Sequence, residues 1–174
     1  MRALVVYESM YGNTHAVAES IARGLRAGGE AEAEAVPIVR ATPEALAAAD
    51  LLVVGGPTHI HGLTSERSRE AAREAAAKPD SGLAMDPDAE GPGLREWFDG
   101  LALPAGRRAA AFDTRMHGPG MVTGRASRGI AKRLRHHGAT MVAPPESFLV
   151  DKQNHLDGDE AARAEAWGAG LAGA

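Results

Sequence analysis

The sequence predicts one α/β domain in which a parallel sheet lies between two layers of helices, a three-layer sandwich. Three observations predict it. Unbroken apolar runs at residues 3–7, 51–54 and 109–112 have the pattern of strands buried on both faces, because a parallel sheet covered by helices leaves no solvent face to mark with polar residues. Segments of helical period separate these runs, and strands that alternate with helices give a doubly wound sheet of five strands. The 174 residues are the length of one such domain with a proper core.

The elements follow in order. Ala3, Leu4, Val5, Val6 and Tyr7 form the first strand, and residues 8–12 end it with small and polar side chains. From Asn13 the spacing Val17, Ile21, Leu25 marks one face of a helix, and Gly28-Gly29 stops it. Residues 32–38 alternate polar and small apolar up to Pro37, and a strand with a proline and a half-polar face belongs near a sheet edge. Thr42-Pro43 opens a short helix, with threonine as cap and proline at the first helical position. Residues 51–54 are the second fully apolar strand.

Residues 65–77 form a helix rich in charge and alanine, with Glu74 and Lys78 at i,i+4 spacing. Residues 79–93 are rich in turn formers. Both segments offer little apolar surface to bury. Residues 94–101 supply the next packed helix through Trp97, Phe98 and Leu101, and residues 109–112 the following strand. Thr123 opens a helix with Ile130 and Leu134 inward. Arg125, Arg128, Lys132, Arg133 and Arg135 point mostly outward, a solvated face or a docking surface. Residues 140–143 and 148–150 read as one strand bent at Pro144-Pro145. The last helix starts at Asp157, with Glu160 three residues on as a capping-box-like pair, and buries Ala164, Trp167 and Leu171.

Three joins carry the chemistry. The first, Ser9-Met10-Tyr11-Gly12-Asn13-Thr14, lies between a buried strand and a helix N-terminus. A helix N-terminus presents unpaired N–H groups and the positive end of the dipole, and a loop of hydroxyls and glycine in front of it wraps an anion. No lysine follows the glycine, so this is not a P-loop, and there is no G-x-G-x-x-G. A neutral cradle suits one terminal phosphate better than a triphosphate with magnesium. Alone, the loop also fits an ordinary helix cap. The second join, Gly55-Gly56-Pro57-Thr58-His59-Ile60-His61-Gly62, repeats the strand–glycine–polar-loop pattern that marks ligand sites outside the carboxyl ends of strands. The third runs from Asp113, Thr114, Arg115 and Met116 through His117 to Gly120.

The first join resembles the FMN-phosphate loop of the flavodoxin superfamily, usually S/T-x-S/T-G-x-T. Tyr11 replaces a small hydroxyl there, and an aromatic at that place resembles the flavodoxin domains of flavodiiron proteins and quinone reductases of the tryptophan-repressor-binding-protein type. Gly55-Gly56-Pro57-Thr58, with a glycine at position 62, resembles the second flavin loop of the same branches. The resemblance covers essentially the whole chain. Because the family's packed helix follows the second loop fairly directly and its counterpart here is residues 94–101, the resemblance implies that residues 66–93 are an insertion rising from the cofactor side of the sheet: a lid, a dimer arm or a solvated excursion. It implies the sheet order 2-1-3-4-5, FMN as cofactor, and contacts to it from three groups of residues. These are Ser9, Met10, Tyr11, Gly12, Asn13 and Thr14; Pro57, Thr58, His59, Ile60, His61 and Gly62; and Asp113, Thr114, Arg115 and Met116. The third join departs from the family's usual glycine-rich acidic or aromatic-bearing segments. An arginine there would set a positive charge near the flavin ring and favour a flavin that accepts electrons readily.

Composition narrows the rest. A net charge of −4 and a pI near 6.0 argue against a nucleic-acid binder and are milder than the surface of a dedicated acidic shuttle. The absence of cysteine removes thiol redox chemistry, disulfides and Cys-ligated metal. No signal pattern or long apolar run is present, which points to a cytoplasmic protein with no membrane partner. Abundant alanine and arginine suggest a bacterial genome of high GC content. Aromatic residues are only 4%, so alanine and valine must do much of the packing. Three function classes follow: an FMN protein exchanging electrons with a redox partner protein, an NAD(P)H-dependent quinone or flavin reductase, and a non-redox binding domain on the same scaffold. His59, His61 and His117 could gather around zinc. With no carboxylate or cysteine at ligand spacing, they are read as polar walls, and no metal, nucleophile or catalytic residue is assigned.

Overall fold

Strands form where the chain is apolar enough to be covered on both sides. The computed structural model describes residues 1–30, 32–59 and 61–174. β1 (Arg2–Tyr7), β3 (Leu51–Pro57) and β4 (Arg108–Met116) lie side by side and parallel, with β2 (Glu32–Pro37) at the edge beside β1. Val5 stands opposite Val53, and Val53 opposite Ala110, so one apolar row crosses the sheet. The order is β2-β1-β3-β4-β5, the doubly wound 2-1-3-4-5 arrangement. Its fifth position is divided. β5 (Thr140–Met141) pairs with Arg108 and Ala109, and β6 (Glu146–Val150) pairs with β4 from Phe112 to Met116. The break holds Pro144 and Pro145, which have no N–H to give to a ladder.

Helices cover both faces. α1 (Asn13–Ala27) and α7 (Glu160–Leu171) close one core around Val5, Ile21, Leu25, Phe112, Phe148 and Leu171. They approach closely: a Cβ on Gly24 would stand 1.9 Å from the Glu165 carbonyl oxygen. α2 (Pro43–Ala48), α4 (Leu94–Asp99) and α6 (Ala126–His136) cover the other core, with Leu46, Leu94, Phe98, Ile130 and Leu134 buried against Leu4, Val6 and Leu52. Thr42 caps α2 through its hydroxyl, as its sequence position predicts. α3 (Glu66–Ala77) is capped by Ser65 and Ser68 in a reciprocal pair. Among the described residues no helix is long and apolar enough to cross a membrane.

Three boundaries correct the sequence reading. β3 runs to Pro57 and β4 to Met116, so Gly55 to Pro57 and Asp113 to Met116 are strand, not loop. Polar residues there stay extended because β4 has ladder partners on both sides, β3 through Gly56 and Pro57 and β6 through Ser147 to Val150. The helix expected from Thr123 is divided into a single turn, α5 (Gly120–Thr123), and α6, because Gly124 between them adopts a φ of 77°. The last helix begins at Glu160, not Asp157. The Glu160 carboxylate accepts the Leu149 N–H at 2.6 Å and pairs with Arg163 instead of closing a box with Asp157.

Candidate functional site

β1, β3, β4 and β6 end at one edge of the sheet, and a cleft of about 200 Å³ opens between their carboxyl ends. Met10, Tyr11, Asn13 and Thr14 reach it from the first join, Pro57, Thr58 and His59 from the second, and Thr114, Arg115 and Met116 from the end of β4. Val150 and Asn154 complete the wall after β6. A second hollow of about 350 Å³ shares Tyr11, Thr58 and His59 and is closed by Ser68, Ala71 and Ala72 of α3.

The α1 end of the cleft is an uncapped helix N-terminus. Gly12 precedes the helix with φ 93°, a left-handed conformation that costs glycine little and other residues much. Its N–H donates to Ser9 Oγ at 3.1 Å and its carbonyl accepts the Ala16 N–H at 2.9 Å. No side chain caps α1 and its first turn holds no acid. Beside it the Thr14 and Thr114 hydroxyls share a hydrogen bond of 2.7 Å. The Asn13 amide is engaged across the cleft wall, donating to the Asn154 carbonyl at 2.8 Å.

α6 also points its N-terminus at the cleft, but that end is already satisfied. The Thr58 hydroxyl accepts the Ala126 N–H at 2.9 Å, and the Asp113 carboxylate accepts the Ser127 N–H at 2.7 Å. Asp113 is fully buried, and that burial holds its carboxyl above the ordinary range despite the hydrogen bonds it accepts. Thus Asp113 lies beneath the cleft and fixes a helix rather than lining the wall.

The remaining expected residues divide clearly. Ser9 is buried behind the first join, where it braces Gly12. His59 and Gly62 exchange both backbone hydrogen bonds, 2.8 and 3.0 Å, and His61, at φ 71°, bridges to Gly124 outside the cleft. Ile60 lies outside the described residues. Burial lowers the His59 pKa, so its ring is a neutral wall at pH 7. His117 is engaged with the Asp157 carboxylate, and the three histidines considered for zinc do not converge. Arg115 folds back on its own loop, donating to the Gly118 carbonyl at 2.8 Å and the Thr123 hydroxyl at 3.0 Å.

Residues 64–93 close over this side of the molecule. Tyr11 donates its hydroxyl to the Ala72 carbonyl at 2.9 Å, and the Asp86 N–H donates to the Met10 carbonyl at 2.8 Å. Asp86 also meets His15 Nδ1 at 3.1 Å, and Asp88 accepts the Tyr7 hydroxyl at 3.1 Å. Burial and the neighbouring Asp88 raise the Tyr7 pKa, so the phenol stays protonated. The base of the segment is tied by one carboxylate: Glu8, 5% exposed, accepts the Thr64 hydroxyl and, at 2.9 Å, the Leu94 N–H. Arg69, also buried, pairs with Glu96 at 3.1 Å. Sequence reading missed Glu8, Tyr7, Asp86 and Asn154. The available signals were a carboxylate directly after a buried strand, and an asparagine in a turn following the last strand, where a left-handed φ of 63° suits it.

This is a doubly wound α/β protein with an uncapped helix terminus at the carboxyl edge of its sheet. The chain belongs to the flavodoxin family, which matches residues 5–167. Among solved structures it is similar to a flavodoxin from the domain Archaea, at 20% identity and TM-score 0.66 over 99% of this chain and 96% of that one. It is similar to a flavodiiron core from Synechocystis, at 15% identity and TM-score 0.63 over 99% of this chain and 35% of that one. It is also similar to the flavodoxin, WrbA-like protein from Agrobacterium tumefaciens, at 18% identity and TM-score 0.59 over 98% and 94% of the two chains. Comparison with curated proteins gives no match. FMN is the cofactor that family membership implies, and the donor set fits it. The α1 terminus is open, two hydroxyls adjoin it, and the cleft wall carries an arginine and no carboxylate.

Proposed function

We propose that this protein is an FMN-dependent electron-transfer protein that seats the FMN phosphate at the N-terminus of α1. The observation that supports this most is the contrast between two helix ends at one cleft: α6 is capped by Thr58 and Asp113, while α1 has no side-chain cap and no acid in its own first turn, and the nearby Asp86 carboxylate is engaged by His15. Bound FMN supplies reversible electron transfer. The chain's own residues do the rest. Thr14 and Thr114 hold hydroxyls where they donate to phosphate oxygens, and the backbone after Gly12 adds N–H groups and the helix dipole. Met10, Pro57, Tyr11 and Met116 supply apolar wall that keeps water from the cleft. His59, neutral at pH 7, adds no charge, and Arg115 sets a fixed positive one. A positive charge there favours a ligand that gains electrons, which suits a readily reduced flavin more than a strongly reducing one.

A second reading is an NAD(P)H-dependent quinone or flavin reductase. The hollow beside the cleft, walled by Ser68, Ala71 and Ala72, favours it because it offers room for a second planar ligand. The visible spectrum of the purified protein, followed by FMN and riboflavin titration, tests the first reading: a colourless protein that ignores added FMN rules it out. NAD(P)H oxidation with a quinone acceptor by the loaded protein separates the second, since an electron carrier turns over neither.

A further inference from the structure

The proposed function leaves a prominent surface unused. Residues 125–135 hold Arg125, Arg128, Lys132, Arg133 and Arg135 and no acid, on a chain of net charge −4. Arg128, Lys132 and Arg135 are exposed at spacings of four and three, which places them in one stripe about 10 Å long on the outer face of α6. Ile130 and Leu134 face the core instead. Elsewhere in the chain Arg2, Arg23, Arg40, Arg69, Arg73 and Arg163, half of the twelve arginines outside this segment, form ion pairs. Among the described residues the stripe forms none.

The stripe begins at the cleft. The Ala126 N–H at the head of α6 donates to Thr58, which lines the cleft. Along the chain from the end of β4 to α6 come Met116, which lines the cleft, and Met121 and Val122 of α5, 50%, 99% and 66% exposed. This apolar tip is rigidly mounted. Arg115 holds Gly118 and Thr123 from one side, and Gly124 packs so tightly on His61 that a Cβ there would stand 2.2 Å from its Cα. Apolar side chains at the centre with a charged rim is the anatomy of a protein interface. The outer face of α6 carries no Phe, Tyr or Trp on which bases could stack.

We infer that the Met116–Val122 tip and the Arg128–Lys132–Arg135 stripe form a docking surface for an acidic electron-transfer protein, placed so that the partner meets the mouth of the cleft. The redox character of the partner rests on the proposed function, while its acidity rests on the charge of α6. Opposite charge steers encounter and is weakened by salt, which suits a transient complex.

The test uses a plant-type ferredoxin, a small and strongly acidic redox protein, immobilised on a biosensor, with basic cytochrome c as the counter-probe. Binding of the full chain is read with and without FMN. The wild type should bind ferredoxin in preference to cytochrome c and lose about tenfold or more in association rate as salt rises and shortens the screening length. The triple variant R128E/K132E/R135E should lose about tenfold or more at low salt, and R128Q/K132Q/R135Q should fall between, guarding against a fold defect in the charge reversal. Both variants should keep the wild-type melting curve and FMN affinity, because these side chains lie outside the cleft. Ferredoxin binding unchanged in the variants overturns the inference. So does a wild type that ignores ferredoxin yet takes duplex DNA, phosphatidylglycerol vesicles or a second copy of itself through the stripe. Stripe-dependent ferredoxin binding by a chain that takes no FMN would refute the proposed function and leave the docking surface standing.

Discussion

Replacing Thr14 by alanine separates the phosphate role of α1 from its structural role. Thr14 is 2% exposed, and its hydroxyl shares a 2.7 Å bond with Thr114. With phosphate in place the hydroxyl can donate to a charged acceptor, an interaction of about 1.5–3 kcal/mol. That corresponds to a rise of about 10- to 150-fold in the dissociation constant of FMN. In the free protein the substitution removes only a neutral hydrogen bond, at a cost of about 1 kcal/mol. The loss of FMN affinity should therefore exceed the loss of stability, and riboflavin, which has no phosphate, should be affected little. Fluorescence titration of both flavins against wild type and Thr14→Ala measures the first effect, and urea unfolding the second. Equal weakening of FMN and riboflavin, or unchanged FMN binding, would refute the placement of the phosphate.

Four further outcomes are expected. Glu8→Ala leaves the Thr64 hydroxyl and Leu94 N–H without their acceptor and should cost about 2–4 kcal/mol by denaturant unfolding; a change within error would show that the carboxylate does not tie the 64–94 segment. Burial raises the Glu8 pKa, so its contribution to stability is complete below the ordinary carboxylate pKa of about 4.3 and is lost as pH rises through the folded value. Glu8→Gln, which cannot ionise, should flatten that part of the stability profile, and an unaltered pH slope would exclude Glu8 as its source. Arg115→Ala should lower the potential of bound FMN, with about 3 kcal/mol as the ceiling for a unit pair about 5 Å apart at an effective dielectric of about 20; an unchanged or higher potential in a redox titration removes any tuning role. Deleting residues 66–93 and joining the ends with a short glycine linker should keep a cooperative unfolding transition while weakening FMN, because the Met10 and Tyr11 contacts to Asp86 and Ala72 disappear; loss of the transition would make the segment part of the core.

The sequence by itself determined the layers of this protein. Residues 3–7, 51–54 and 109–112 are apolar without interruption, and Val17, Ile21 and Leu25 recur at helical spacing, so strand and helix are written in the order of neighbouring residues. The same local chemistry marked Thr42 as a cap, Pro37 as an edge residue and residues 9–14 as the loop before a helix. Element ends were less legible. Asp113 to Met116 look like a loop because they are polar, yet two flanking strands hold them extended. What only the tertiary structure decided is which groups meet across the chain. Thr14 finds Thr114, Glu8 finds Thr64 and Leu94, and Asn13 finds Asn154. It also decided which helix end stays open, since the capping of α6 by Thr58 and Asp113 depends on partners 68 and 14 residues away. Periodicity and capping act within one or two helical turns and can be read from neighbouring residues, whereas a hydrogen bond between distant residues exists only once the sheet order has brought strand ends together.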